Sequence, residues 1–254
     1  VSSYAAHVAT YWEDDMAISN AGYIGPAAIS PPPIITLANT AEGGTSGTTV
    51  TAANSGGSSG PVFDRVDVGA GATGIFDSSQ AAHGNLAYAF GTGSTAALSR
   101  VQWTSSMGTQ TQVWFRAYLY FTANPAATVR VINQDQGHTA CAVVVVLPSG
   151  KLQLRTGSAG TQTFTTTSTI PLNHWFRVEG YTIGSSTAGQ VQLELFKTPD
   201  ATTPDETDTS AATINTYGSM DTYNFGISAY TANVATYWED DVAISNGGYL
   251  GPAA

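Results

Sequence analysis

The sequence predicts an all-β protein, built as two antiparallel sheets packed into a sandwich. Short runs rich in β-branched and aromatic residues alternate apolar and polar positions, with turn residues between them. No stretch of ten residues shows a convincing helical period. The span 34–254 also suits a single-domain sandwich.

Taken in order, residues 1–28 come first as an outlier. They recur without a gap as residues 227–254, and the two copies differ only at Val1/Ile227, Ser3/Ala229, Ala5/Thr231, His7/Asn233, Met16/Val242, Ala21/Gly247 and Ile24/Leu250. The repeat distance is that of a whole domain, far beyond the period of a solenoid. The expectation is that 1–28 is the C-terminal strand segment of a preceding repeat and that 34–254 is one full repeat of a tandem array. A lone strand exposes unpaired backbone groups. Residues 1–28 are therefore expected to pair with a neighbouring repeat or subunit rather than with their own domain. Residues 29–33 hold three prolines, which bar a helix and favour a stiff linker.

Strand-like runs begin at Ile34. The clearest is TQVWFRAYLYF, residues 111–121. It places Val113, Phe115, Ala117, Leu119 and Phe121 on one face and Trp114, Arg116, Tyr118 and Tyr120 on the other. ATVRVIN, ACAVVVVLP, KLQLRTG, HWFRVEGYTI, QVQLELFKT, YNFGISAY and VATYWEDDVAIS follow. Gly and Ser clusters at 54–60, 69–74 and 184–189 predict loops, and the acidic stretch 198–211 predicts a longer, mobile one.

Charged residues make up 10% of the chain, 18 acidic against 8 basic, for a net charge of −10. That balance argues against nucleic acid or an anionic membrane as partner. No apolar stretch is long enough to span a bilayer as a helix. The one cysteine, Cys141, sits in an apolar run and is expected to be a small buried hydrophobe.

VWFRAYLYFTANP, NHWFRVEGYTI, GQVQLELF and YWEDDVAISNGGYLGP, together with the opening NTAEGGTSGTTVTAANSGGSSGPVFDRV, resemble the laminin G-like, concanavalin A-type jelly-roll modules. Such modules occur in actinobacterial surface proteins and in minor tail or virion-surface proteins of actinophages. The resemblance covers roughly 34–252. It implies two antiparallel sheets, one of them curved, with the first and last strands adjacent, and a place on an extracellular or virion surface. Members bind glycans or proteins, and relatives include glycoside hydrolases and polysaccharide lyases.

The hydrolases of this fold carry acidic residues at alternate positions of one strand, because two carboxylates must flank one glycosidic bond. Here Glu194 stands alone on its strand. Glu239 and Asp241 share a face by alternation, but Ala243 and Ser245 follow in phase, so the triad is incomplete. The Arg, Tyr and His signatures of the lyases are not found either. The expectation is a non-catalytic module for spacing, attachment and glycan adhesion, with no catalytic residue. A dedicated lectin, and a hydrolase or lyase of the same fold, are the alternatives.

Two binding expectations follow. Asp240 and Asp241 recur as Asp14 and Asp15. The resemblance implies a structural Ca²⁺ joining the first loop to the last strand, with Glu42, carbonyls from Gly43 to Thr45, and Asp241 as ligands; hard oxygen donors suit that ion. Trp114, Arg116, Tyr118 and Tyr120 share one strand face, and Trp175, Arg177, Glu179 and Tyr181 share another. Aromatic rings stack on sugars while Arg and Glu fix hydroxyls, so these eight are the candidate glycan contacts. The competing reading is that they pack under loops.

Overall fold

The structure, a computed structural model, describes residues 33–157 and 161–253. The expected repeat tail at 1–28, its pairing partner and most of the linker lie outside the described residues. Ile34–Ala254 forms one unit.

Fifteen strands are described: β1 (Thr36–Asn39), β2 (Arg65–Val68), β3 (Ala72–Asp77), β4 (Ala87–Thr92), β5 (Ala97–Trp103), β6 (Gln112–Tyr120), β7 (Val129–Gln136), β8 (Thr139–Val146), β9 (Lys151–Thr156), β10 (Thr161–Thr169), β11 (Trp175–Ile183), β12 (Gln190–Phe196), β13 (Glu206–Thr209), β14 (Thr222–Thr231) and β15 (Tyr237–Ser245). The only helical pieces among the described residues are two 3₁₀ turns, Ala52–Asn54 and Gly57–Ser59, in the 54–60 region. The larger sheet runs β13-β12-β11-β6-β15-β4-β3, with β1 also paired to β15; the smaller runs β10-β9-β8-β7-β14-β5-β2. All pairings are antiparallel, and the first and last strands are neighbours, Thr36 opposite Ser245.

The alternation of β6 is realised as read: Val113, Phe115, Ala117, Leu119 and Phe121 all lie in the core between the sheets. Phe121 stacks on Tyr237 with ring centroids 4.6 Å apart. Burying each such side chain stabilises the fold by about 1.5–3 kcal/mol. Cys141 is buried, and burial pushes its thiol up to about 12, so it is inert as a nucleophile.

Three local expectations are corrected. β3 starts at Ala72, inside the predicted 69–74 loop, where it pairs with Thr92. The acidic 198–211 stretch contains β13, paired to β12, and is tied down by Arg177, whose guanidinium donates to the carbonyls of Pro199 and Ala201. Glu239 and Asp241 do not share a face. Glu239 pairs with Tyr88 and is fully buried on the core side. A bulge then shifts the register against β6, from Asp240 opposite Tyr118 to Ala243 opposite Arg116. Asp241 takes φ 47° there, a left-handed conformation that non-glycine residues rarely adopt. Bulges re-aim side chains in this way beside functional sites.

Candidate functional site

The register of the larger sheet assembles the eight predicted contacts on one outward face. Trp175 lies opposite Tyr120, Arg177 opposite Tyr118, Glu179 opposite Arg116, and Tyr181 opposite Trp114. Alternate residues on a strand are about 7 Å apart, so the rows form a ladder along the strands. β15 extends the first two rows with Trp238 and Asp240.

The two ends of the ladder are aromatic. At one end Tyr120 packs between Trp175 at 5.5 Å and Trp238 at 5.7 Å. At the other, Trp114, Tyr181 and Tyr249 meet pairwise at 6.2–6.4 Å. Five of these six rings are half-buried and Tyr249 is exposed, so each trio keeps ring surface open to solvent.

The middle rows are polar and covered. Arg177 is buried, forms an ion pair with Glu179 at 2.7 Å, and lies 3.8 Å over the Phe196 ring. Arg116 donates to the carbonyls of Asp241 at 3.1 Å and Gly251 at 2.9 Å. The C-terminal stretch answers with two amides: Gly251 donates to Glu179 Oε2 at 3.3 Å, and Ala253 donates to Tyr118 Oη at 2.9 Å. Burial raises the Glu179 carboxyl, although the two guanidiniums pull it back down.

His83 enters this face from the loop before β4. Its ring stands edge-on to Tyr118, with centroids 5.1 Å apart and planes at 78°. Nδ1 is 2.5 Å from Asp241 Oδ2, and Nε2 is 3.3 Å from Asp200 Oδ1. Burial lowers the pKa of His83, but the bond and charge of Asp241, then those of Asp200, overcome it and raise the pKa above its ordinary value. Asp240 accepts the amides of Ala82, His83 and Asp241, so the bulge fixes both the loop and the ring. Asp240 itself is held well above the usual carboxylate range by burial and by the charge of Asp241.

A cavity of about 340 Å³ opens beside Arg177, Glu179, Glu194, Phe196 and Tyr249. Glu194, read from sequence as solitary, lies directly opposite Glu179 across the β11–β12 pair. Burial first, then the charge of Glu179, raises its carboxyl.

The calcium ligands proposed from the resemblance do not fit as arranged. Glu42 spends its carboxylate on the amides of Asn85 and Leu86, both at 2.8 Å, and Asp241 faces His83. Both accept N–H donors rather than presenting bare oxygens to a cation. The carbonyl of Thr45 accepts from the Thr48 hydroxyl at 2.6 Å. Among the described residues no group of three or more His, Cys, Asp or Glu side chains could hold a metal ion.

No protein-family model matches the chain, and no curated protein resembles it in sequence. Among solved structures it is similar to an endo-β-1,4-glucuronan lyase from Trichoderma reesei, with 12% identity, TM-score 0.53, 75% of this chain and 91% of that chain covered. It is similar to the cellulose-induced protein Cip1, with 19% identity, TM-score 0.54, 74% of this chain and 91% of that one. A botulinum neurotoxin type G receptor-binding domain follows, with 12% identity, TM-score 0.49, 83% of this chain and 47% of that one. At these identities the likeness is one of fold: a β-sandwich shared with a polysaccharide lyase and with Cip1.

The expectation of a non-catalytic module is thereby corrected. Its grounds were the incomplete carboxylate triad and the missing lyase signatures. Yet a polysaccharide lyase shares this fold over nearly its whole length. The structure also brings together His83, Tyr118, Arg116 and Arg177, which no linear motif joins. Sequence reading missed His83, Asp200, Trp238 and Tyr249 as site residues. Only the Trp and Tyr carried a usable signal, since both lie in the repeated segment. His83 and Asp200 sit in loops with no periodicity to place them.

Proposed function

We propose that the outward face of the larger sheet binds an acidic polysaccharide and cleaves it by β-elimination, with His83 and Tyr118 moving the protons. The observation that carries this reading is the His83–Tyr118 pair at the centre of a face with an aromatic trio at each end. The trios supply stacking surfaces for sugar rings on both sides of the reacting bond. β-Elimination at a uronate removes the proton on the carbon bearing the carboxylate. The freed electron pair forms a carbon–carbon double bond, and the bond to the glycosidic oxygen breaks. That oxygen then takes a proton.

His83 suits the first transfer once neutral: Asp241 engages Nδ1 and raises the pKa, which makes the ring the stronger base. The Tyr118 hydroxyl suits the second. Arg116 and Arg177 lie 5.8 and 5.9 Å from the Tyr118 ring, and their fixed positive charge favours both the substrate carboxylate and the negative charge that develops beside it. In the arrangement described, Asp200 and the Ala253 amide occupy Tyr118 Oη. Substrate therefore enters by displacing these two contacts. Such chemistry belongs with display on an extracellular or virion surface, where polysaccharides are met.

A second reading rests on Glu179 and Glu194, two carboxyls opposite one another in the 340 Å³ cavity. Paired carboxyls are the tools of glycoside hydrolysis. Product chemistry separates the two. Elimination leaves an unsaturated sugar that absorbs in the ultraviolet, whereas hydrolysis yields a saturated reducing end. Incubating the chain with polyglucuronate is expected to raise ultraviolet absorbance, and His83→Ala and Tyr118→Phe are each expected to abolish the rise. A saturated product lost in Glu194→Gln would replace this reading with the second, and absence of any cleavage would sink both.

A further inference from the structure

The chain has 8 Lys and Arg residues against 18 Asp and Glu. Five of the basic residues gather on the outward face of the smaller sheet, on the side of the sandwich away from the ladder. Strand register puts them there. Arg65 lies opposite Gln102 and Arg100 opposite Asp67. Arg130 lies opposite Val145, and Arg155 opposite Val143. Lys151 shares the alternation of Arg155 along β9. The strands contribute only two acids to this face, Asp67 and Asp135. The sign of the charge is thus reversed on this one surface of an acidic protein.

Arg65 and Arg100 share Asp67, at 2.8 and 3.0 Å. The Arg130 side chain forms no hydrogen bond or ion pair among the described residues, though it lies near enough to Asp135 and Arg155 to act on both through its charge. It borders a pocket of about 180 Å³ whose wall also includes Arg100, Asn133, Asp135, His138 and Ser228. Two buried polar atoms of that wall have no hydrogen-bond partner: Ser228 Oγ and Asn133 Oδ1. Ser228 is 6% exposed and Asn133 3% exposed. Asn133 Nδ2 donates to both oxygens of Asp135, at 3.0 and 2.9 Å, which leaves Oδ1 as a fixed acceptor. Asn224 donates to the same carboxylate at 3.1 Å, so Asp135 is already satisfied from within the face.

A bare inorganic anion answers only half of this chemistry. It would suit the arginines and Ser228 but meet Asn133 Oδ1 acceptor to acceptor. A sugar bearing an acidic group answers all of it, because its hydroxyls donate where its oxyanion accepts. We propose that this pocket is a second saccharide site, in which Arg130 and Arg100 receive the carboxylate or sulfate of an acidic glycan and Asn133 Oδ1 and Ser228 Oγ receive its hydroxyls. The inference stands apart from the cleavage chemistry. A polymer anchored here stays near the opposite face and raises the local concentration of sites to cut.

The test is calorimetric binding to the full chain carrying His83→Ala, which prevents turnover. The probes are oligogalacturonate, a chondroitin sulfate oligomer, a neutral cello-oligosaccharide and sodium sulfate. Binding of at least one acidic oligomer is expected, and the preferred one identifies the acidic group. The cello-oligosaccharide is expected to occupy only the opposite face, with unchanged affinity when Arg130 is replaced. Arg130→Gln is expected to weaken acidic-oligomer binding tenfold or more, and Arg130→Lys less, since the charge remains and the fork is lost. Ser228→Ala is expected to weaken it severalfold. Arg130→Gln should melt close to the parent, because it breaks no side-chain hydrogen bond or ion pair among the described residues. Equal affinity of parent and Arg130→Gln overturns the proposal, as does sulfate binding as tightly as either oligomer. Loss of cleavage in His83→Ala with this binding intact separates the two sites. Failure of the elimination reading would leave this result untouched.

Discussion

Asp200 accepts the hydroxyl of Tyr118 at 2.9 Å, from a loop 82 residues further along the chain. The same oxygen lies 3.3 Å from Nε2 of His83. One half-exposed carboxylate thus touches both groups assigned to proton transfer. It is the most exposed member of the set, with a side chain 56% exposed against 33% for His83.

Replacing Asp200 by Asn removes a negative charge that helps to raise the His83 pKa. The His83 pKa is therefore expected to fall in Asp200→Asn, while Asp241 still holds it part of the way up. If neutral His83 is the base, the rise of cleavage rate with pH begins at lower pH in the variant. The exposed pair contributes little to stability, below about 1 kcal/mol, so the melting temperature should barely move. An NMR titration of the His83 ring checks the shift directly, and a constant or higher value counts against the assignment.

The Ala253 amide caps Tyr118 Oη and is the last described contact of the C-terminal stretch. Proline at this position has no N–H to donate. Ala253→Pro is therefore expected to remove one of the two contacts on the hydroxyl, leaving that of Asp200, and to lower KM for the polysaccharide. The net contribution of one hydrogen bond, about 0.5–1.5 kcal/mol, sets the scale at two- to tenfold. A raised KM would mean that the stretch builds the site rather than blocks it.

The sandwich was legible because alternation is a local property. Val113 to Phe121 need only the two-residue period to declare a core face, and every one of them is in the core. The face assignment of the eight ladder residues was legible for the same reason. Their covering was not. Whether Arg177 meets solvent or the carbonyls of Pro199 and Ala201 depends on a loop twenty-odd residues away, and no period encodes that. The bulge at Asp241 defeated the same rule that succeeded on β6. One extra residue reverses the phase, and it put Glu239 in the core and Asp241 on the site. The hydrogen bonding of the calcium candidates was out of reach for a related reason. Glu42 was read as a cation ligand, but the chain supplies it with two amides, and an acceptor already satisfied by N–H groups has no need of a metal.

That last contrast has a direct consequence. A metal bound only by the native state would stabilise it, and its removal would lower the melting temperature. With Glu42 and Asp241 committed to N–H donors, EDTA at neutral pH is expected to leave the melting curve unchanged. Glu42→Gln should still destabilise, by about 1–3 kcal/mol, because it weakens the acceptor for the amides of Asn85 and Leu86. A drop in melting temperature with EDTA, reversed by Ca²⁺, would restore the metal.

Glu239 offers a test of the bulge from the core side. Its carboxyl is fully buried, and no cation lies among the groups that shift it; burial holds its pKa well above the carboxylate range. In the unfolded chain the same group titrates near 4.3. Between those two values the folded state keeps a proton that the unfolded state has lost, so stability falls as pH rises through that window. Below it, Glu239 is neutral in both states and contributes no slope. Glutamine has nearly the shape of the protonated acid and cannot ionise. Glu239→Gln is therefore expected to melt close to the parent at pH 4 and above it at pH 7. The gap should grow by about 1.4 kcal/mol per pH unit until the folded pKa is reached. Chemical denaturation at several pH values measures it. A gap that stays constant with pH would show that Glu239 is ionised in the folded protein, and that the bulge does not place it where the register puts it.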